Sequence, residues 1–311
     1  MESPTPLPKK RSPFKSFLRW AIVGGTLFFL AKAFKDNWQE VAAIRIDAAG
    51  WGLLVIALIT TLLAHLWSGW VWGWILRELG QRVAGWWSTQ VYLTTNIAKY
   101  LPGNVWHFYG RVTAAKANGV SLGAAILSVV LESLLMAAAA LMVAIIGVRQ
   151  AGWGLQVLAL AIALIAIHPK VLNPVLQRLS RSKAKGQFEM DESTSMALRR
   201  YPVVPLLGEL GFFVLRGAGF LWIVAALHSL SAANVLPVLG GFSVAWLLGL
   251  VVPGAPGGLG VFEATAIALL PDEMTPAVIL STVALYRLIN TLAEAVGAAI
   301  GMGIRSVLGK R

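Results

Sequence analysis

Between two apolar runs, residues 235–252 and 261–270, the chain reads Pro253-Gly254-Ala255-Pro256-Gly257-Gly258-Leu259-Gly260. Two prolines each remove an amide donor and four glycines free the backbone, so this stretch cannot carry a helix through. Its apolar flanks put it at membrane depth, where lipid offers no hydrogen bonds, and irregular backbone at that depth has to face protein or water. Tyr100-Leu101-Pro102-Gly103-Asn104 repeats the device more weakly earlier in the chain. A bundle of uninterrupted helices is thereby excluded.

The chain's 311 residues are 57% hydrophobic and 13% charged, with a mean hydropathy of +0.72, which describes a polytopic helical membrane protein and not a soluble one. A net charge of +12 would suit nucleic acid. The basic residues, however, stand in short clusters between apolar runs, as positive-inside topology requires, so nucleic acid is not an expected partner. With no cysteine there is no disulfide, thiolate metal site or cysteine nucleophile. The four histidines are scattered without HxxxH or HExxH spacing, so neither a metal nor a cofactor is expected.

Charge between the apolar runs orients them. Residues 1–15 are proline-rich and basic and read as a disordered cytoplasmic tail, leaving 16–311 as one transmembrane domain. Residues 17–33 cross outward and 51–75 return. The run 86–101 falls short of the roughly 20 residues needed to span. Arg111 and Lys116 follow its break, so the segment turns back to the side it came from. Residues 121–146 cross outward and 153–167 inward, onto a basic loop at about 170–201. Residues 203–227 cross outward to a second broken pair, whose acidic end, Pro271-Asp272-Glu273, lies outside. Residues 277–304 then cross inward. The expected architecture is an all-α polytopic membrane protein of about six full transmembrane helices plus two Pro/Gly-broken re-entrant pairs, forming an inverted repeat of units 51–146 and 203–304. Its junctions fall at Pro102, Gly103, Pro253, Gly254, Gly257, Gly258 and Gly260. The expected location is the plasma (inner) membrane with both termini cytoplasmic. Inverted repeats whose discontinuous helices meet near the midplane are a transporter plan.

Eight ionisable residues fall at membrane depth: Lys99, His107, Glu132, Glu209, Arg216, Glu263, Arg287 and Glu294. A central arginine or lysine costs about 2.5–3.5 kcal/mol on insertion scales, so these side chains should face the bundle interior. Arg216 lies roughly 20 Å into its helix and Arg287 roughly 17 Å into the last one, both near mid-bilayer. Glu209 and Glu294 each stand seven residues from their arginine on the same helical face, giving matching charge ladders. Two readings follow. Arg216, Arg287 and Arg111 receive an anionic head group through bidentate guanidinium contacts, or the acids neutralise the arginines in buried structural pairs. Pairing with an arginine is the first expectation for Glu132. Glu263 sits in the first turn after Gly260, where the helix dipole favours a carboxylate.

Three pieces carry a resemblance: Leu101-Pro102-Gly103 followed by Arg111; Pro253-Gly254 through Gly257-Gly258-Leu259-Gly260-Val261-Phe262-Glu263; and Tyr286-Arg287-Leu288. In order and spacing they are similar to the transmembrane region of the lysylphosphatidylglycerol synthase/flippase family, from residue 51 to the C-terminus. The resemblance implies a flippase-like fold and lipid translocation. It does not carry synthase activity over, since the soluble aminoacyl-transferring domain has no room after residue 304. The family's acid after the first Pro-Gly is replaced by Val105-Trp106-His107, so no acidic role transfers there. The expected substrate-binding set is Arg111, Glu132, Arg216, Glu263 and Arg287. No catalytic residue is expected: Gly241-Phe242-Ser243-Val244-Ala245 lacks the last glycine and the strand context of a nucleophile elbow. The partners expected are membrane lipids with anionic head groups, and a homo-oligomer is compatible with the sequence. A membrane enzyme of lipid head groups and a non-transporting scaffold are the alternative classes.

Overall fold

The computed structural model describes residues 35, 38–100, 105–147, 153–174, 198–252, 258, 260–270 and 274–308, and their regular structure is all helical. The expected tail, the first expected crossing at 17–33, most of the basic loop, and the junction residues Pro102, Gly103, Pro253, Gly254 and Gly257 lie outside the described residues.

A short helix α1 (Trp38–Ala43) precedes α2 (Ala48–Glu78), which at 31 residues is about 46 Å long. Asp47 starts α2 by accepting the Gly50 amide at 2.7 Å. There follow α3 (Gly85–Asn96) with a 3-10 turn (Ile97–Tyr100), α4 (Trp106–Ala117), α5 (Leu122–Gly147) and α6 (Trp153–Ile167). The second half holds α7 (Val203–Leu227), α8 (Ala232–Val251), α9 (Val261–Leu269) and α10 (Pro276–Leu308). Among the described residues five helices, α2, α5, α7, α8 and α10, are long and apolar enough to cross a membrane. The sequence assigns the apolar run of α8 to a re-entrant pair, yet its 20 residues reach about 30 Å, enough to span. With 15 residues, α6 is shorter than a full span.

Small residues set the packing. The long pair α2 and α7 forms the spine, joined where the Trp67 indole donates to the Gly208 carbonyl at 2.7 Å. Helices α5 and α8 meet at Gly147, where a Cβ would stand 2.1 Å from the Leu236 carbonyl oxygen, so any larger residue forces them apart. The central core is aromatic: Phe220, Phe242, Phe262 and Tyr286 sit ring to ring on α7, α8, α9 and α10. Large apolar side chains face outward along α2 (Val55, Ile59), α6 (Leu155, Leu158, Ile162), α7 (Val214) and α10 (Leu288). So many exposed large apolar side chains suit lipid and not water, and the chain is a multi-pass membrane protein.

On the far side of each Pro/Gly run the next helix packs on the one before it, α4 on α3 and α9 on α8. At the second break Gly258 (φ 69°) and Gly260 (φ 86°) take left-handed backbone that other residues rarely adopt. Gly258 also lies against α8, where a Cβ would come within 2.9 Å of the Gly249 Cα. The described ends of the basic loop are pinned: the Asn173 amide exchanges two hydrogen bonds with the Leu198 backbone, and Arg200 grips Glu78 with two bonds of 2.8 and 2.9 Å.

Candidate functional site

A cavity of about 360 Å³ lies between α2, the pairs α3–α4 and α8–α9, and the helices α5, α7 and α10. Its chemistry starts from α10, an apolar helix interrupted on one face by Tyr286, Arg287, Asn290, Thr291 and Glu294. Spacings of three and four residues align these groups along the helix.

The upper part of this face holds the second junction. Arg287 Nε donates to Glu263 Oε1 at 2.7 Å, and its Nη2 donates to the Gly258 carbonyl at 2.9 Å. The other oxygen of Glu263 accepts the Gly260 amide, so one carboxylate caps α9 and anchors the arginine. The lower part holds the turn that leads into the first junction. Lys99 pairs with Glu294, the Tyr100 hydroxyl lies 3.3 Å from Thr291 Oγ1, and Asn290 Nδ2 donates to that same hydroxyl at 3.1 Å. One helix face thus holds the turn before the first break and Gly258 and Glu263 at the second.

Arg216 stands between these clasps. It is 4% exposed, donating through Nη1 to Asn290 Oδ1 at 2.5 Å and through Nη2 to the Tyr286 hydroxyl at 2.7 Å. The rings of Tyr286 and Phe212 lie 5.2 and 6.0 Å from its guanidinium carbon. Its Nε has no hydrogen-bond partner, and no described carboxylate comes within 4.0 Å. His65 Nε2 lies 3.2 Å from Asn290 Oδ1 and 3.4 Å from Glu294 Oε1. Carrying its proton on Nε2 lets His65 donate to these oxygens, and its 3.5 Å approach to Arg216 is then no hydrogen bond. Arg216 is therefore a buried cation with neutral hydrogen-bond partners, on a cavity wall.

Across the cavity Arg111, 3% exposed, pairs with Glu132 and is enclosed by the rings of Tyr92, Phe108 and Trp72 at 4.7, 5.3 and 5.9 Å. Such rings stabilise a desolvated guanidinium. The second carboxyl oxygen of Glu132 and Nε of Arg111 have no hydrogen-bond partner.

Of the expected binding set, Arg111, Glu132, Arg216 and Arg287 line the cavity, and Glu263 stands behind Arg287. Gly258 is on the wall as well. The charge ladders expected within α7 and α10 do not close. Residues seven apart on a helix are separated by about 10 Å, so the two charges of α10 take partners across helices, while Arg216 has neutral partners and the Glu209 oxygens have none. Arg287 takes Glu263, and Glu294 takes Lys99 and His65. His65, Tyr92, Asn96 and Asn290 are polar cavity residues that sequence reasoning missed; the polar spacing 286, 287, 290, 291, 294 on α10 was the available signal for Asn290. Among the described residues no group of three or more histidines and acids is arranged to hold a metal ion.

A family model described as "Lysylphosphatidylglycerol synthase TM region" matches residues 16–297. No curated protein matches the chain.

Proposed function

This chain belongs to the lysylphosphatidylglycerol synthase TM region family, a tie to membrane lipid metabolism, and from that premise we propose that it carries an anionic lipid head group through the central cavity without altering it chemically. The observation that carries this reading is Arg216, a guanidinium inside a membrane protein whose described hydrogen-bond partners are all neutral. A structural pair would place a carboxylate there. Two of its five N–H donors are taken by Asn290 and Tyr286, which fix its plane and leave the rest for a phosphate. Trp246, Phe212 and Phe262 supply apolar wall. The two broken elements, read as re-entrant halves of an inverted repeat in the plasma membrane with cytoplasmic termini, would open the cavity alternately to either side.

The test is head-group binding and lipid movement in proteoliposomes with purified Arg216 variants. Arg216→Ala should weaken binding of an anionic phospholipid roughly ten- to a hundredfold, the worth of about 1.5–3 kcal/mol for a charged hydrogen bond. Arg216→Lys should keep the fold and part of the affinity but lose the planar fork. Unchanged binding in a thermally intact Arg216→Ala protein would refute the reading.

A further inference from the structure

The buried polar residues of α10 fall on one stripe. Tyr286, Asn290 and Glu294 stand four residues apart, so they follow one another along a single face with about 6 Å between steps, and each is buried. Two cations from other elements meet this stripe. Lys99 meets the carboxylate of Glu294, whereas Arg216 meets the amide of Asn290 and the phenol of Tyr286. The other arginines on the cavity wall follow the lysine: Arg111 holds Glu132, and Arg287 holds Glu263. A buried cation is best offset by a carboxylate, so the step out of pattern is residue 290.

Its amide is held in one orientation. Oδ1 accepts from Arg216 Nη1 at 2.5 Å and from His65 Nε2 at 3.2 Å, while Nδ2 donates to the Tyr100 hydroxyl at 3.1 Å. Turning the amide over would aim its N–H groups at the guanidinium, so the three partners together keep the oxygen on Arg216. No described carboxylate comes into contact instead. Glu294 is engaged by Lys99 and His65, and Glu263 by Arg287 and the Gly260 amide. Glu209 lies two turns back along α7, about 10 Å away, and α8 carries no charged residue. Yet a carboxylate would fit at 290. It has the outline of the amide and could accept all three bonds, since the Tyr100 hydroxyl can rotate to donate.

We propose that Asn290 is the specificity-determining residue of the cavity: it orients the Arg216 guanidinium without cancelling its charge, so the counter-charge has to come from the ligand. A head group with a net negative charge is thereby selected over a zwitterionic one. That selection rests on the head-group reading above. The uncompensated state of Arg216 does not.

Asn290→Asp exchanges the amide nitrogen for oxygen and adds one negative charge at nearly constant shape. Thermal unfolding in detergent without lipid reads that charge alone, and pairing Arg216 internally should raise the unfolding temperature above wild type. A fall, or loss of the fold, would overturn the proposal, because the place would then not accept a carboxylate. Titration calorimetry with dihexanoyl phosphatidylglycerol, and with zwitterionic dihexanoyl phosphatidylcholine for comparison, reads the selection. Wild type should prefer the anionic lipid. Asn290→Asp should weaken that lipid roughly ten- to a hundredfold, as much as Arg216→Ala does, and change the zwitterionic one far less. A residue that only holds the fold would move both lipids together or neither. Unchanged preference in the folded variant would therefore overturn the proposal too. A wild type with no preference would count against the head-group reading instead, and the unfolding temperature would still decide whether Asn290 leaves Arg216 uncompensated.

Discussion

Gly258 has two reasons to be glycine. Its backbone is left-handed, and the position where a Cβ would go is occupied by the backbone of Gly249. Gly258→Val should therefore cost the strain of an unfavourable φ, about 1–3 kcal/mol, with overpacking against α8 in addition. Thermal stability in detergent and lipid movement should both fall, whereas Gly80→Ala, also at positive φ but in open space, should cost less. A Gly258→Val protein as stable as wild type would mean that the junction has room. That glycine was marked for such duty by its setting among prolines in an apolar run, because backbone demands are written in residue type. The partners of the charged residues were less legible. Sequence placed Arg216, Glu209, Arg287 and Glu294 correctly inside helices. It could not give the rotation of one helix against another, which decides that Glu263 and not Glu294 meets Arg287. For the same reason His65 stayed hidden: a lone histidine in α2 gains meaning only beside Asn290 and Glu294.

At the scale of elements, α9 and α10 are held together by the Arg287–Glu263 pair, whose side chains are 19% and 7% exposed. Removing one member of a buried pair strands the other, at a cost of about 3–5 kcal/mol. Arg287→Ala should lower the unfolding temperature, and Glu263→Gln added to it should restore most of the loss, though the cap on α9 is weakened. If the second change rescues nothing, the pair is not what holds the junction. Packing of α5 on α8 makes a separate expectation. Gly147→Leu would drive a side chain into the Leu236 carbonyl and Gly240, costing at least the 1–3 kcal/mol typical of overpacking, as measured by thermal unfolding. The helices themselves were well marked: 153–167 and 203–227 match the observed bounds of α6 and α7. For α8 the sequence reading differs from the observed length, because the proline and glycine run shows where a helix must stop but not how deep its start lies.

For the whole molecule the basic and acidic connections predict that residue 181 and the C-terminus face one side and residue 272 the other. Since the chain has no cysteine, single cysteines introduced at Arg181 and Asp272 can be labelled without background from either side of sealed vesicles. Labelling of both from the same side would rule out the inverted arrangement, though not the helices themselves. That the chain is a multi-pass helical membrane protein was legible because apolar length acts on segments tens of residues long. The cavity was not, since it exists only where helices far apart in the chain converge. The shortness of α6 carries a consequence for the lipid around the protein. It offers about 22 Å of apolar length to a hydrocarbon layer of about 30 Å, beside α5 at 26 residues. A bilayer that fits α5 is thicker than the described length of α6, a mismatch that drawing the two leaflets together along that flank would relieve. Lipids with shorter acyl chains should then raise the stability of α6 in the bilayer, read as slower amide exchange across 153–167.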